Sequence, residues 1–157
     1  MMLKIEIPGW GELRCEHLVL DYNGTIAIDG KLLPGVQERL QQLAEQVKIH
    51  VITADTFGNV AKEVAEIPCK LAIIAQQKQD EAKQKYCREL GRETVVAIGN
   101  GRNDQLLLKT AELGIAIMQE EGAAGRAIFA ADLLIPDILA AFDLLLKPQR
   151  LIATLRN

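Results

Sequence analysis

The chain has 157 residues, 49% apolar and 25% charged, with a net charge of −3. That is ordinary composition at the length of one domain, enough to bury roughly 70% of the surface the unfolded chain exposes. The weak negative charge and the 4% aromatic content exclude a basic surface for nucleic acid or anionic membrane, and a base-stacking platform. Pro8-Gly9-Trp10-Gly11 then reads as a turn between two short strands, roughly 2–7 and 12–16. The apolar run His17–Asp21 predicts a buried strand, and TIAIDGKLLPG a small hairpin turning at Asp29-Gly30. Val36, Leu40, Leu43 and Ala44 recur at helical spacing within 35–46. Val47–Thr53 is the next strand, followed by a helix near 57–66, a strand at 71–75 and a helix at 79–90 that stops at Gly91. Strand 94–98, helix 103–112 and strand 114–118 repeat the pattern. A short helix at 123–131, a strand at 131–135 and a helix from Pro136 to about 146 complete it, leaving a tail with one or two further turns.

Alternating strands and helices with continuous apolar strands predict a three-layer, Rossmann-like α/β fold: a mainly parallel sheet with helices on both faces, plus the small N-terminal hairpin. Cys15, Cys69 and Cys87 are odd in number and form no C-x-x-C pair, so neither a zinc site nor a disulfide framework is expected. A reducing cytoplasm fits them best. The N-terminal residues carry charges and a turn where a signal peptide needs an apolar run, and no stretch approaches the ~18 apolar residues of a membrane span.

In such sheets ligands sit beyond the carboxyl ends of the strands. The first strand ends in Asp21-Tyr22-Asn23-Gly24-Thr25, the second in Thr53-Ala54-Asp55, the third in Gln76-Gln77-Lys78, and the fourth in Gly99-Asn100-Gly101-Arg102-Asn103-Asp104. A carboxylate, a hydroxyl, an ammonium and a second carboxylate thus occur in order. A phosphate monoester on Mg²⁺ needs this set: hard oxygens for the metal, and a hydroxyl, a cation and backbone N–H groups for the phosphoryl oxygens. Lys78 could also be a surface lysine, Asp55 a helix cap, and Asn103 and Asp104 an N-cap and first-turn acid. His17 and His50 read as core or edge residues, and Asp80-Glu81-Ala82-Lys83 as a solvated helix face.

This order of motifs resembles the haloacid dehalogenase superfamily over about residues 17 to 140, and within it the phosphorylation domain of P-type ATPases. The resemblance implies a capless, single-domain hydrolase over residues 1–157. Asp21 would be the nucleophile that becomes an aspartyl phosphate. Mg²⁺ would be held by Asp21, the Asn23 carbonyl, Asn100 and Asp104. The phosphoryl group would be bound by Asp21, Gly24, Thr25, Thr53, Ala54, Lys78 and Asn103, with Lys78 offsetting charge. Phosphatases of this group carry an aspartate at the position of Asn23 as general acid and base, a role an amide cannot fill. Asn100 likewise replaces an aspartate, which lowers the charge available to a metal. The implied function is a slow Mg²⁺-dependent phosphohydrolase or phosphotransferase; the alternative is a catalytically weak module that binds phosphate or a protein partner. A phosphorylated substrate of unknown identity is implied, with neither nucleic acid nor membrane as partner. The apolar C-terminal end, Ile138 to Leu155, suggests a homo-oligomer or a tail folded back over the sheet edge.

Overall fold

The computed structural model describes residues 1–55 and 58–157. Strands β1 (Leu3–Ile7) and β2 (Gly11–Cys15) pair antiparallel across the Pro8–Trp10 turn. They bury Ile5, Ile7, Leu13 and Cys15 on one face and expose Lys4, Glu6, Glu12 and Arg14 on the other, as a one-sided ribbon should. A single residue, Glu16, then leads into β3 (His17–Asp21), in which all five residues are buried.

β3 is central in a six-stranded sheet whose neighbouring pairs are all parallel. On one side the chain continues through β6 (Lys48–Thr53) and β7 (Cys69–Ile73). It then returns to the other side for β8 (Val95–Gly99), β9 (Leu113–Ile117) and β10 (Leu133–Ile135). The strand order therefore reverses between β3 and β8, and the loops leaving those two strands diverge to leave a crevice.

Alternate residues serve the two faces. Leu18, Leu20, Val96 and Ile98 face a large core with α1 (Val36–Leu43), α2 (Asn59–Glu63), α6 (Ile138–Leu146) and α7 (Pro148–Leu155). Val19, Val95 and Ala97 face a smaller one with α3 (Gln79–Leu90), α4 (Gln105–Thr110) and α5 (Gly125–Ala130). Full burial of each of these Leu, Ile and Val side chains contributes roughly 1.5–3 kcal/mol. Between β3 and β6 the chain holds only the two-stranded hairpin of β4 (Ala27–Ile28) and β5 (Lys31–Leu32), and α1. The hairpin turns at Asp29 and Gly30, both with positive φ, the geometry of a two-residue turn matched to strand twist.

Several boundaries differ from the sequence reading. β7 starts two residues earlier than the apolar run 71–75, because its parallel register pairs Cys69 with Ile49; Ile74 still donates to the Thr53 carbonyl at 2.9 Å. The expected start of the helix near residue 57 lies outside the described residues. A 3₁₀ turn at Arg102–Asp104 precedes α4 where a continuous helix from 103 was expected. The tail is a full helix, α7, which folds back on β1: Leu151 is fully buried and the Asn157 N–H donates to the Pro8 carbonyl at 2.9 Å. Ile138, Phe142 and Leu145 are likewise buried within the chain, so the apolar surplus that suggested an oligomer is used internally. Among the described residues no helix is long and apolar enough to cross a membrane.

Candidate functional site

Beyond the carboxyl ends of β3, β6 and β8 lies a cavity of about 640 Å³, with Asp21, Asn23, Thr53, Asn100 and Asn103 on its wall. Its centre is a lysine that the strand-end reading passed over. Lys83, one turn into α3, is 1% exposed, and its ammonium donates to Asp21 Oδ1 at 2.9 Å, Asp104 Oδ1 at 2.8 Å and Asn103 Oδ1 at 3.1 Å. One cation thus holds the two carboxylates on the same side of the crevice. Burial, and then the Asp104 carboxylate, push the Asp21 carboxyl up to about 7, against the pull of Lys83 and the Thr25 hydroxyl. Burial alone would lower the Lys83 ammonium, but Asp21 and Asp104 outweigh it and hold it above the ordinary lysine value.

The loop after β3 is buttressed from behind. Thr25 is fully buried, and its hydroxyl lies 3.2 Å from Asp21 Oδ2 and 3.3 Å from Asn100 Oδ1. Gly24 has φ +83, and a Cβ there would run into the Asn100 amide, so glycine is required on both counts. Gln119, on the turn after β9, donates from Nε2 to the Gly24 carbonyl (3.2 Å) and the Thr25 carbonyl (2.9 Å), and accepts from the Ile138 N–H at 2.8 Å. The Asn100 amide reaches the same turn, donating to the Gly122 carbonyl at 3.1 Å. Opposite, Thr53 Oγ1 accepts from the Asp55 N–H at 3.2 Å, which leaves its own proton to donate into the cavity.

No known protein-family model matches the chain. Two proteins of Methanocaldococcus jannaschii, both described as uncharacterized, share its family: one is 48% identical over 80 residues, covering 48% of this chain and 86% of that protein. The other is 54% identical over 39 residues, covering 25% and 89%. The ATP-binding subunit of a potassium-transporting ATPase of Caldanaerobacter subterraneus is 33% identical over 70% of the chain, which spans only 16% of that subunit. Among solved structures, 3-deoxy-D-manno-octulosonate 8-phosphate phosphatase of Moraxella catarrhalis, in complex with magnesium, phosphate and its KDO molecule, superposes with a TM-score of 0.72 at 16% identity, over 90% of this chain and 94% of that one. A cobalt-bound deoxy-D-mannose-octulosonate 8-phosphate phosphatase of Haemophilus influenzae gives 0.71 at 12% identity, over 91% and 94%. A Legionella pneumophila protein described as a putative hydrolase of the haloacid dehalogenase superfamily gives 0.69 at 20%, over 89% and 88%. The chain has the fold of these haloacid dehalogenase-type structures.

Within this haloacid dehalogenase fold the structure corrects several sequence-based assignments. Lys78 is exposed and lines a neighbouring hollow instead of the main cavity; Lys83 occupies the place expected of it. The reading of Asp80–Lys83 as a solvated face fails at Lys83 for a legible reason: residues 83 and 87 share a helix face, and Cys87 is fully buried. Asp104 is 0% exposed and off the cavity wall. Its Oδ2 accepts from the Asn100 and Gly101 N–H groups, at 3.1 and 3.0 Å, and its Oδ1 from Lys83, so it anchors the lysine. Gly24 and Thr25 shape the loop from beneath and do not line the cavity. Asn23, Thr53, Ala54, Asn100 and Asn103 do line it. Gln119 was missed altogether, since nothing in the sequence marks a polar residue 95 positions beyond Gly24 as a clamp.

Among the described residues no three His, Cys, Asp or Glu side chains could hold a metal by themselves. The wall nevertheless carries the Asp21, Asp55 and Glu121 carboxylates against one ammonium, Lys83, with amide oxygens from Asn23 and Asn100. That donor set is hard and net negative. It fits a Mg²⁺ that takes one or two carboxylates and keeps the rest of its octahedron for water and phosphate. His17 and His50 pair with each other at 3.0 Å, His50 also reaches the Tyr86 hydroxyl at 2.8 Å, and this group lies away from the cavity and takes no part.

Proposed function

We propose that the chain is a Mg²⁺-dependent phosphomonoester hydrolase that works through an aspartyl phosphate on Asp21, acting as a single unit without a cap. The observation that carries this reading is the Lys83 ammonium shared by Asp21 and Asp104 at the point where strand order reverses, with the Thr53 hydroxyl facing the same cavity. The phosphatases of this fold described above, one with magnesium and phosphate bound, support it by analogy.

An Asp21 carboxylate oxygen attacks phosphorus, the bond from phosphorus to the ester oxygen breaks, and the leaving alkoxide takes a proton from water. Water then attacks the acyl phosphate, releasing inorganic phosphate and restoring the carboxylate. Lys83 balances charge on Asp21, and Thr53 donates to a phosphoryl oxygen. Asp21, the Asn23 backbone carbonyl and the Asn100 amide oxygen would hold Mg²⁺, which would supply the positive charge an acidic wall needs to accept a phosphate dianion. Asn23 has no proton to give, and its Oδ1 already accepts from the Gly30 N–H at 3.0 Å. General acid–base help is worth 10²–10⁴ in rate, so turnover is slow by that order.

A second reading, a phosphate-binding module without turnover, draws on the same fact: the Asn23 and Asn100 amides both serve backbone hydrogen bonds instead of chemistry. A Mg²⁺-supplemented phosphatase screen of the wild type beside Asp21→Asn separates the two. Hydrolysis abolished by the substitution supports the enzyme. Phosphate binding with no hydrolysis in either protein supports the module.

A further inference from the structure

The main cavity opens on two flanks of opposite character. On one side it shares Asn23, Asp55 and Glu121 with a hollow that also holds Asp29. On the other it shares Gln79 and Asn103 with a hollow of about 420 Å³ that carries Lys78 and Arg102. Lys78 immediately precedes α3, and Arg102 opens the 3₁₀ turn after β8, so two separate elements bring the cations to one place. Both are exposed, and among the described residues neither is in an ion pair. Asp80 is the one acid on that wall, and its Oδ1 accepts from the Glu81 N–H at 2.9 Å. Between cavity and hollow stand the Asn103 and Gln79 amides, joined at 2.9 Å, with Asn103 also on Lys83. A leaving group running out from a phosphoryl centre over Asp21 has an acidic exit and a basic one.

We infer that the Lys78–Arg102 hollow is the leaving-group subsite, and that the substrates are small phosphomonoesters whose leaving group carries a second anionic group, a carboxylate or a phosphate. The inference rests on the phosphate site proposed above and extends it. The main cavity and the hollow fall within the range usual for small-molecule sites. The two cations attract the distal anion, while Asp29, Asp55 and Glu121 repel it from the other flank. Specificity thus comes from both attraction and repulsion.

The test uses non-hydrolysable phosphonates, so that it reads binding apart from turnover. Wild type and the double variant Lys78→Glu, Arg102→Glu are titrated calorimetrically with methylphosphonate, phosphonopropionate and a propylene bisphosphonate, each with Mg²⁺. Both substituted side chains are exposed and outside the proposed catalytic set, so methylphosphonate affinity should be unchanged. The wild type should prefer a doubly anionic ligand by roughly threefold to tenfold, the span expected of exposed charge pairs, and the variant should lose or invert that preference. The tighter of the two anions names the second group. Equal affinity for all three ligands in the wild type, or a preference that survives in the variant, overturns the subsite and leaves the phosphate site standing. Binding of none of the three removes the phosphate site, and the subsite with it.

Discussion

Replacing Lys83 by methionine keeps the length and apolar stem of the side chain and removes the one cation between two buried carboxylates, 2.9 and 2.8 Å away. Breaking a buried ion pair from one side costs about 3–5 kcal/mol, because the remaining charge is left unpaired in a poorly solvated place. Against a total stability of about 5–15 kcal/mol, the variant should be severely destabilised. The loss should also depend on pH. The folded Asp21 carboxyl already sits up at about 7, above its ordinary value. A group raised in this direction contributes stability that is fully present below the ordinary carboxylate range and is lost as pH rises through its folded value. Taking Lys83 away raises it further, so the proton that relieves the strain on Asp21 is taken up at little cost at about pH 5 and at a much larger cost at about pH 8, where the unfolded chain holds no such proton. Urea unfolding of wild type, Lys83→Met and Lys78→Met at both pH values reads this directly. Lys78→Met should stay within about 0.5 kcal/mol of wild type, as surface changes do. A Lys83→Met protein as stable as wild type at the higher pH, or a Lys78→Met protein equally damaged, would refute the geometry on which the site rests.

Asp21→Asn should stabilise the metal-free protein near neutral pH and flatten the decline in stability between the ordinary carboxylate range and about 7; a thermal-melt series over pH with chelator present checks it, and an unchanged profile counts against the buried, raised carboxyl. Gln119→Leu strips the donor from the Gly24 and Thr25 carbonyls, with about 1–3 kcal/mol lost for the groups left unpaired. Its kcat should fall more than its phosphate affinity, because Thr25 no longer holds Asp21 in place; equal loss of both would point to a general folding defect. Asn23→Asp should raise turnover roughly tenfold or more by restoring a proton donor, and equal hydrolysis of an aryl phosphate by both proteins would show that Asn23 is not the limiting departure.

The fold was legible because its signals are local. Continuous apolar strands gave away the parallel sheet, and Asp29-Gly30 and Gly91 marked a turn and a helix stop that both occur. Asp21, Thr53 and Asn103 could be found because ligands gather where strands end. Lys83 was harder, since it sits inside a helix and reaches the site sideways; its only trace was a charge on the face that buries Cys87. The role of Asp104 was out of reach for a similar reason, because only the closing of the 3₁₀ turn shows its Oδ2 filled by two backbone N–H groups. Gln119 acts across the sheet, and long-range polar clamps of that kind leave no periodicity in a sequence.

The central claim, that Asp21 is the nucleophile, is tested most directly by trapping the phosphoryl group on it. Wild type and Asp21→Asn are incubated with Mg²⁺ and a small acyl phosphate donor, quenched in acid and digested, and the peptides are mapped by mass spectrometry. A phosphoryl group on the peptide containing Asp21, acid-stable, lost at alkaline pH and absent from Asp21→Asn, is the expected result. Phosphorylation of another residue, or equal donor hydrolysis by both proteins with no adduct on that peptide, would contradict the account.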